Sequence, residues 1–160
     1  CMAADIDPTN PGLEMWSADS KGLRNVKGDI LNGRVRSTNF GIWWDGDLLR
    51  ELLDHERVLK YDWKAGRTYT LLQLKNCKFN NGTKSNPCLS ADILGDWREE
   101  ILTRDETSSE LRLYVSTIPT THRMTCLEED VPYRLGVAAE NSGYNQPPET
   151  GFYFGAESKF

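Results

Sequence analysis

Three features of the sequence predict an all-β fold. A short acidic segment recurs along the chain. The sequence between recurrences consists of brief runs rich in β-branched and aromatic residues. Turn signals punctuate those runs. The recurring segments are ADIDPTNPGLEMW (4–16), IWWDGDLLRELL (42–53) and ADILGDWREEIL (91–102). The last two align without a gap: Gly46-Asp47 matches Gly95-Asp96, and Glu51 matches Glu100. In the first segment the loop is longer, with Asp5 and Asp7 before it and Glu14 after it. The segments lie about 40 to 50 residues apart, the spacing of β-propeller blades. The fold class expected is therefore an all-β β-propeller, to which this chain supplies about three to four blades. Closed propellers use roughly four to eight blades, because closure removes exposed strand edges. The chain alone is thus expected to be part of a ring.

Each element has its own signal. NPG (10–12) and NG (32–33) mark turns. LLRELLDHERVL (48–59) is helical on propensity, but its alignment with the third segment favours a strand followed by a turn, with a short helix as the lesser option. AGR (65–67) turns the chain into TYTLLQL (68–74), an alternating strand. NNGT (80–83) marks the next turn. ELRLYVSTI (110–118), RMTCL (123–127) and GFYFG (151–155) read as strands, and YRLGVAAE (133–140) is ambiguous because of its alanines. Trp43 and Trp44 fit a strand that fills a core.

Composition narrows the function classes. The chain has 160 residues, enough for one domain with a useful core. A net charge of −5 disfavours a nucleic-acid partner held on a broad basic face. No apolar run is long enough to span a bilayer, so no membrane partner is expected. No signal peptide is visible, and the chain starts at Cys1, which reads as a processed, cloned or fragment boundary. Cys77 and Cys88 could close a short loop as a disulfide, worth roughly 2 to 4 kcal/mol if unstrained. The alternative is two reduced, partly buried thiols. Zinc is not expected, because no second close pair of Cys or His accompanies them.

The acidic loops point to a cation. The third loop places Asp92, Asp96 and Glu100 at its first, fifth and ninth positions, with Gly95 permitting a sharp turn. The second offers Asp45, Asp47 and Glu51, and the first Asp5, Asp7 and Glu14. Odd-numbered oxygen ligands on a tight loop suit Ca²⁺, and crowded carboxylates repel one another unless neutralised. The blander reading is Asp turn residues with solvated charge. Recurrence at blade spacing favours structural Ca²⁺ in at least one loop.

Two polar clusters look able to meet a carbohydrate. One is Asn80 to Lys84, where Asn81-Gly82 is a turn dipeptide and Lys84 adds a cation. Its Asn-Gly-Thr triplet is also a glycosylation sequon, read here as accidental. The other is ENSGYNQPPETG (140–151), in which Tyr144 offers a ring to stack on beside the amides of Asn145 and Gln146. Their bland reading is two hydrophilic connections between blades. His55 and His122 have no motif around them, and Glu128-Glu129-Asp130 reads as solvated charge.

The runs STNFGIWWDGDLLRELLD (37–54), NNGTKSNPCLSADILGDWREEI (80–101) and NSGYNQPPETGFYFG (141–155) resemble the C-terminal part of rhamnogalacturonan lyases of polysaccharide lyase family 11. The resemblance covers about residues 3 to 155. It implies a secreted bacterial enzyme with an eight-bladed propeller that binds Ca²⁺ and cleaves rhamnogalacturonan I, a pectic polysaccharide, by β-elimination. Residues 1–160 would then be the C-terminal portion of one catalytic propeller domain. Its N-terminal blades would lie outside this chain, on the same polypeptide or as a separate partner. The resemblance implies that Asn81, Gly82, Thr83 and Asn145 bind sugar, and that Lys84 and Tyr144 are catalytic. Lys84 would neutralise the uronate or act as base, and Tyr144 would act as acid or base. The rival class is a non-catalytic Ca²⁺-binding propeller for carbohydrate binding or adhesion. It shares the acidic loops but does not require Lys84 and Tyr144 together.

Overall fold

Each recurring acidic segment forms a strand, a loop and a second strand. The computed structural model describes residues 1–159 apart from 83, 141 and 143–145. Expectations placed on Thr83, Tyr144 and Asn145 therefore lie outside the described residues. The strands are β1 (Met2–Ala4), β2 (Glu14–Trp16), β3 (Phe40–Ile42), β4 (Glu51–Asp54), β5 (Arg57–Asp62), β6 (Arg67–Gln73), β7 (Cys77–Lys78), β8 (Leu89–Ala91), β9 (Glu100–Asp105) and β10 (Leu111–Tyr114). A 3₁₀ turn (Leu127–Glu129) leads into one helix, α1 (Val131–Ala139). The protein is thus mostly β.

The strands form three antiparallel sheets in chain order: β1-β2, the meander β3-β4-β5-β6, and a third in which β9 pairs with β10 and with both β7 and β8. The helical option for 48–59 loses. Leu52 pairs with Leu59 and Leu53 with Val58, across a tight turn at His55, whose φ of 51° is left-handed. Leu52 packs with Met2, Ile6 and Trp16 of the first sheet. Leu53 and Val58 face the other way, joining Phe40 and Ile42 against Cys77 and Ile101 of the third sheet. Period-two alternation in β4 and β5 thus serves both neighbours of the middle sheet.

Three expectations are corrected. The run 123–127 is not a strand. It leads through the 3₁₀ turn to Asp130, which accepts a hydrogen bond from Tyr133 N at 3.1 Å and caps α1, with Pro132 in the first turn. Asp130, read as solvated charge, is therefore a structural cap, and it also accepts from Gly151 N at 2.7 Å. The run 151–155 is not a strand either. Phe154 serves as a single anchor, stacked on Trp43 at 4.7 Å and edge-on to Trp97 at 5.7 Å. Finally, Cys77 and Cys88 are free thiols. Cys77 turns into the second core beside Thr103 and Tyr114, whereas Cys88 is anchored through its N–H to Leu102 O at 2.8 Å and turns its sulfur toward Asn80.

A third core gathers Trp43, Leu48, Trp97, Leu127, Tyr133 and Phe154 at the loop end of the sheets. There α1 and the C-terminal segment cover the second and third acidic loops. Trp97 holds a left-handed φ of 72°, costly for a bulky residue, and its full burial in this core keeps it there.

Candidate functional site

The three acidic loops share one local device. In each, a glutamate opens the second strand and lies opposite the last residue of the first: Glu14 opposite Ala4, Glu51 opposite Ile42, Glu100 opposite Ala91. All three are buried. Glu14 Oε2 accepts from Ile6 N and Asp7 N, both at 3.0 Å. Glu51 Oε2 accepts from Trp44 N at 2.8 Å and Asp45 N at 3.1 Å. Glu100 Oε2 accepts from Leu94 N at 2.9 Å. One carboxylate oxygen thus gathers the loop's amides; of the others, Glu51 Oε1 accepts from Lys60 and Glu14 Oε1 is buried without a donor.

What fills the centre differs between loops. In the first, Asp5 Oδ1 and Glu14 Oε1 are buried and accept no hydrogen bond. Asp5 Oδ2 accepts from Tyr153 Oη at 2.5 Å and Ala156 N at 2.8 Å, tying this loop to the C-terminal segment. Asp7 folds onto Thr9 and Asn10 as a turn residue. Burial pushes Glu14 up to about 7, with Asp5 and Asp7 adding to it, and burial also raises Asp5, with Glu157 and Asp7 adding to it. Asp5 Oδ1 and Glu14 Oε1 are thus the acceptors a hard cation could take here, whereas both Asp7 oxygens are already engaged by Thr9 and Asn10.

In the second loop, Lys60 of β5 sits among the acids. Its Nζ donates to Asp45 Oδ2 at 2.5 Å, Asp47 Oδ2 at 2.8 Å and Glu51 Oε1 at 2.7 Å. Among the described residues this is the one acidic triad whose oxygens all come within 4.8 Å of one another. Burial pushes Glu51 up to about 8 against the pull of Lys60. Burial also works against the ammonium, but the three acids outweigh it and hold Lys60 above its ordinary range.

In the third loop Asp92 is spent on backbone, accepting from Asp96 N and Leu127 N, each at 2.8 Å. Asp96 turns to Arg98, whose Nη2 donates at 2.6 Å. Burial opposes ionisation of Asp96, yet the Arg98 contacts hold it below the usual carboxylate range. Glu100 is raised by burial. The aligned glycines also differ. Gly95 has a φ of 73°, as the sharp turn requires, whereas Gly46 is needed because a side chain there would overlap the Pro119 carbonyl oxygen.

Beside the loops lies a buried polar network that the sequence did not reveal. Glu99 Oε1 accepts from Tyr133 Oη and Oε2 from Trp43 N, both at 2.8 Å, and Tyr133 Oη accepts from Asp92 N at 2.9 Å. Burial pushes Glu99 up to about 7, partly offset by Arg50. Arg50 is itself buried, 4.2 Å above the Trp43 ring, with Nη2 on Pro148 O at 2.8 Å and Nη1 on Glu149 Oε2 at 2.5 Å. Glu140, pushed up to about 8 by burial, accepts the Ser90 amide on both oxygens at 2.9 and 3.0 Å.

Glu140 bears on the two polar clusters. Asn80 and Asn86 pair through their backbones at 2.7 and 2.9 Å, closing a loop whose tip carries Asn81, Gly82 and Lys84. Asn81 adopts a φ of 55°, as a turn asparagine does. The loop runs directly into β8, where the Ser90 amide donates to Glu140, the residue that precedes segment 141–145. One buried clamp therefore joins the bases of both clusters. Lys84 is half-buried, and Asn81 and Gly82 are exposed.

A mostly β protein built from strand–acidic loop–strand units, with two polar clusters joined at their bases, is the class that fold and site define. Residues 1–159 match the model of rhamnogalacturonan lyase family 11, C-terminal domain. The chain is 54% identical over 155 residues to rhamnogalacturonan endolyase YesW of Bacillus subtilis, covering 96% of this chain and 25% of that protein. It is 45% identical over 174 residues to rhamnogalacturonan exolyase YesX of the same organism, covering 99% of this chain and 28% of that one. It superposes on the crystal structure of YesW with a TM-score of 0.94 at 52% identity, over 99% of this chain and 27% of that one. The chain belongs to rhamnogalacturonan lyase family 11, within its C-terminal domain, and spans about a quarter of the length of the curated relatives it matches.

Proposed function

We propose that this chain carries part of the catalytic and calcium-binding apparatus of an extracellular rhamnogalacturonan lyase. The observation that carries the reading is the Glu140–Ser90 clamp, which joins the Lys84 loop to the segment holding Tyr144 and Asn145. In β-elimination the C5–H bond of a galacturonate breaks, a C4=C5 double bond forms, and the C4–O bond breaks with its electron pair on oxygen. The C5 proton is barely acidic until the neighbouring carboxylate charge is neutralised, which is the role assigned to Lys84. Tyr144 exchanges the protons, and Asn81, Gly82, Thr83 and Asn145 hold the sugars. Asp5, Asp7 and Glu14 are the donor set assigned to a bound Ca²⁺, which would neutralise these buried acids and brace the first loop.

The three sheets read as blades of a propeller whose remaining blades are supplied from beyond this chain. An apolar pocket of about 530 Å³ on the first sheet, lined by Met2, Met15, Trp16 and Arg24 among others, suits a further sheet packing there. The rival reading, a non-catalytic carbohydrate-binding or adhesion module, is disfavoured because the relatives are named as lyases.

The test is Lys84→Ala in the protein that carries this chain, assayed on rhamnogalacturonan with Ca²⁺ by absorbance of the unsaturated uronate product. Turnover should fall by roughly 10² to 10⁴. Unimpaired turnover would remove Lys84 from the mechanism.

A further inference from the structure

We infer that the second acidic loop is not a calcium site: the side chain of Lys60 is its permanent cation. The repeat of Asp, Asp and Glu offers a similar donor set in all three loops, and the second has its place for an ion already filled. Lys60 Nζ lies 2.5 Å from Asp45 Oδ2, 2.8 Å from Asp47 Oδ2 and 2.7 Å from Glu51 Oε1. Ca²⁺ needs oxygens at about 2.3 to 2.6 Å, so an ion on these ligands would occupy the position of the nitrogen. The two cations exclude each other.

Geometry keeps the ammonium in place. Lys60 follows Leu59, which pairs with Leu52. The hairpin register therefore sets Lys60 across from Glu51. Its side chain is only 11% exposed, and Glu51 is fully buried. Each of the three donors of an ammonium meets one carboxylate, so the group is fully satisfied where it lies. The first loop contrasts: among the described residues no lysine or arginine is bonded to Asp5, Asp7 or Glu14, and two of its buried oxygens have no donor.

The consequence is functional. Chelation should loosen loops that depend on an ion, but the hairpin β4-β5 and its loop keep their charge balance at any Ca²⁺ concentration. This inference does not depend on the lyase reading, since its readout is ion stoichiometry rather than activity.

The test counts Ca²⁺ bound per chain after dialysis against excess CaCl₂, for the wild-type protein, Lys60→Met and Asp47→Asn. Removing the ammonium opens the triad, so Lys60→Met should bind one more ion per chain than wild type and gain a Ca²⁺-dependent rise in melting temperature. Asp47→Asn, which keeps Lys60, should leave the count unchanged. A folded Lys60→Met protein with an unchanged count would overturn the inference. So would loss of one ion in Asp47→Asn, an outcome that decides the matter even if Lys60→Met does not fold.

Discussion

Tyr133→Phe removes one oxygen from the centre of the buried network. That oxygen donates to Glu99 at 2.8 Å and accepts from the Asp92 amide at 2.9 Å. Tyr133 and Glu99 are fully buried and Asp92 nearly so, leaving no water to replace it. Phenylalanine fills the same volume, so no cavity forms and the loss is polar alone. Each buried group left unpaired costs about 1 to 3 kcal/mol, with the higher values for charged partners. The substitution should therefore destabilise by about 3 to 4 kcal/mol, or roughly 10 °C in Tm for a domain of this size. The cost should depend on pH. Burial has already pushed Glu99 up to about 7, and the Tyr133 donor favours its ionised form. The lost donor therefore matters more at about pH 8, where Glu99 is charged, than at about pH 5. Urea denaturation at both pH values measures this, with the exposed Tyr69→Phe as a control expected within about 0.5 kcal/mol of wild type. A cost below about 0.5 kcal/mol for Tyr133→Phe, or one that does not grow with pH, refutes the network as described.

Glu140 titrates at about 8 in the folded chain, well above its ordinary value of 4.5. Its stabilising form is therefore the protonated one, complete below the ordinary value and lost as pH rises toward 8. Glu140→Gln cannot ionise, so between about pH 5 and pH 9 the wild type should lose on the order of 3 kcal/mol relative to this variant. Parallel stability curves would contradict that. At the aligned glycines, Gly46→Ala must displace the backbone at Pro119 and should destabilise by about 1 to 3 kcal/mol. Gly95→Ala meets only ordinary contact with Cys126 and should show the left-handed backbone cost alone, about 1 to 2 kcal/mol. A Gly46→Ala protein as stable as wild type would show that its loop is free to shift.

The strand–loop–strand units were legible because their signals are local. Gly-Asp followed by Glu and two apolar residues announces both the turn and the start of the strand, and Glu51 and Glu100 stand where the repeat puts them. The run 133–140 is ambiguous on its alanines alone, and Asp130 with Pro132, a cap and a first-turn proline, is the local signal that resolves it as helix α1. Lys60 has no such local signal. It lies outside the acidic motif and reaches the loop only when ELLDHERVLK folds back at His55. The register of that hairpin, Leu52 with Leu59, is what sets Lys60 across from Glu51. Arg50, Glu99, Tyr133 and Glu140 join segments between 34 and 99 positions apart, and such contacts leave no mark in local pattern.

The glutamate that opens each second strand separates two properties of a loop. One oxygen captures backbone amides and so fixes the path of the chain, and in Glu51 the other meets the cation at the centre. Loop shape therefore survives a change in what sits at the centre. Over generations, a single substitution on the neighbouring strand could trade a diffusible ion for a tethered one, or reverse the exchange, without rebuilding the turn. A repeat protein made of such units could then exchange its bound cations one unit at a time.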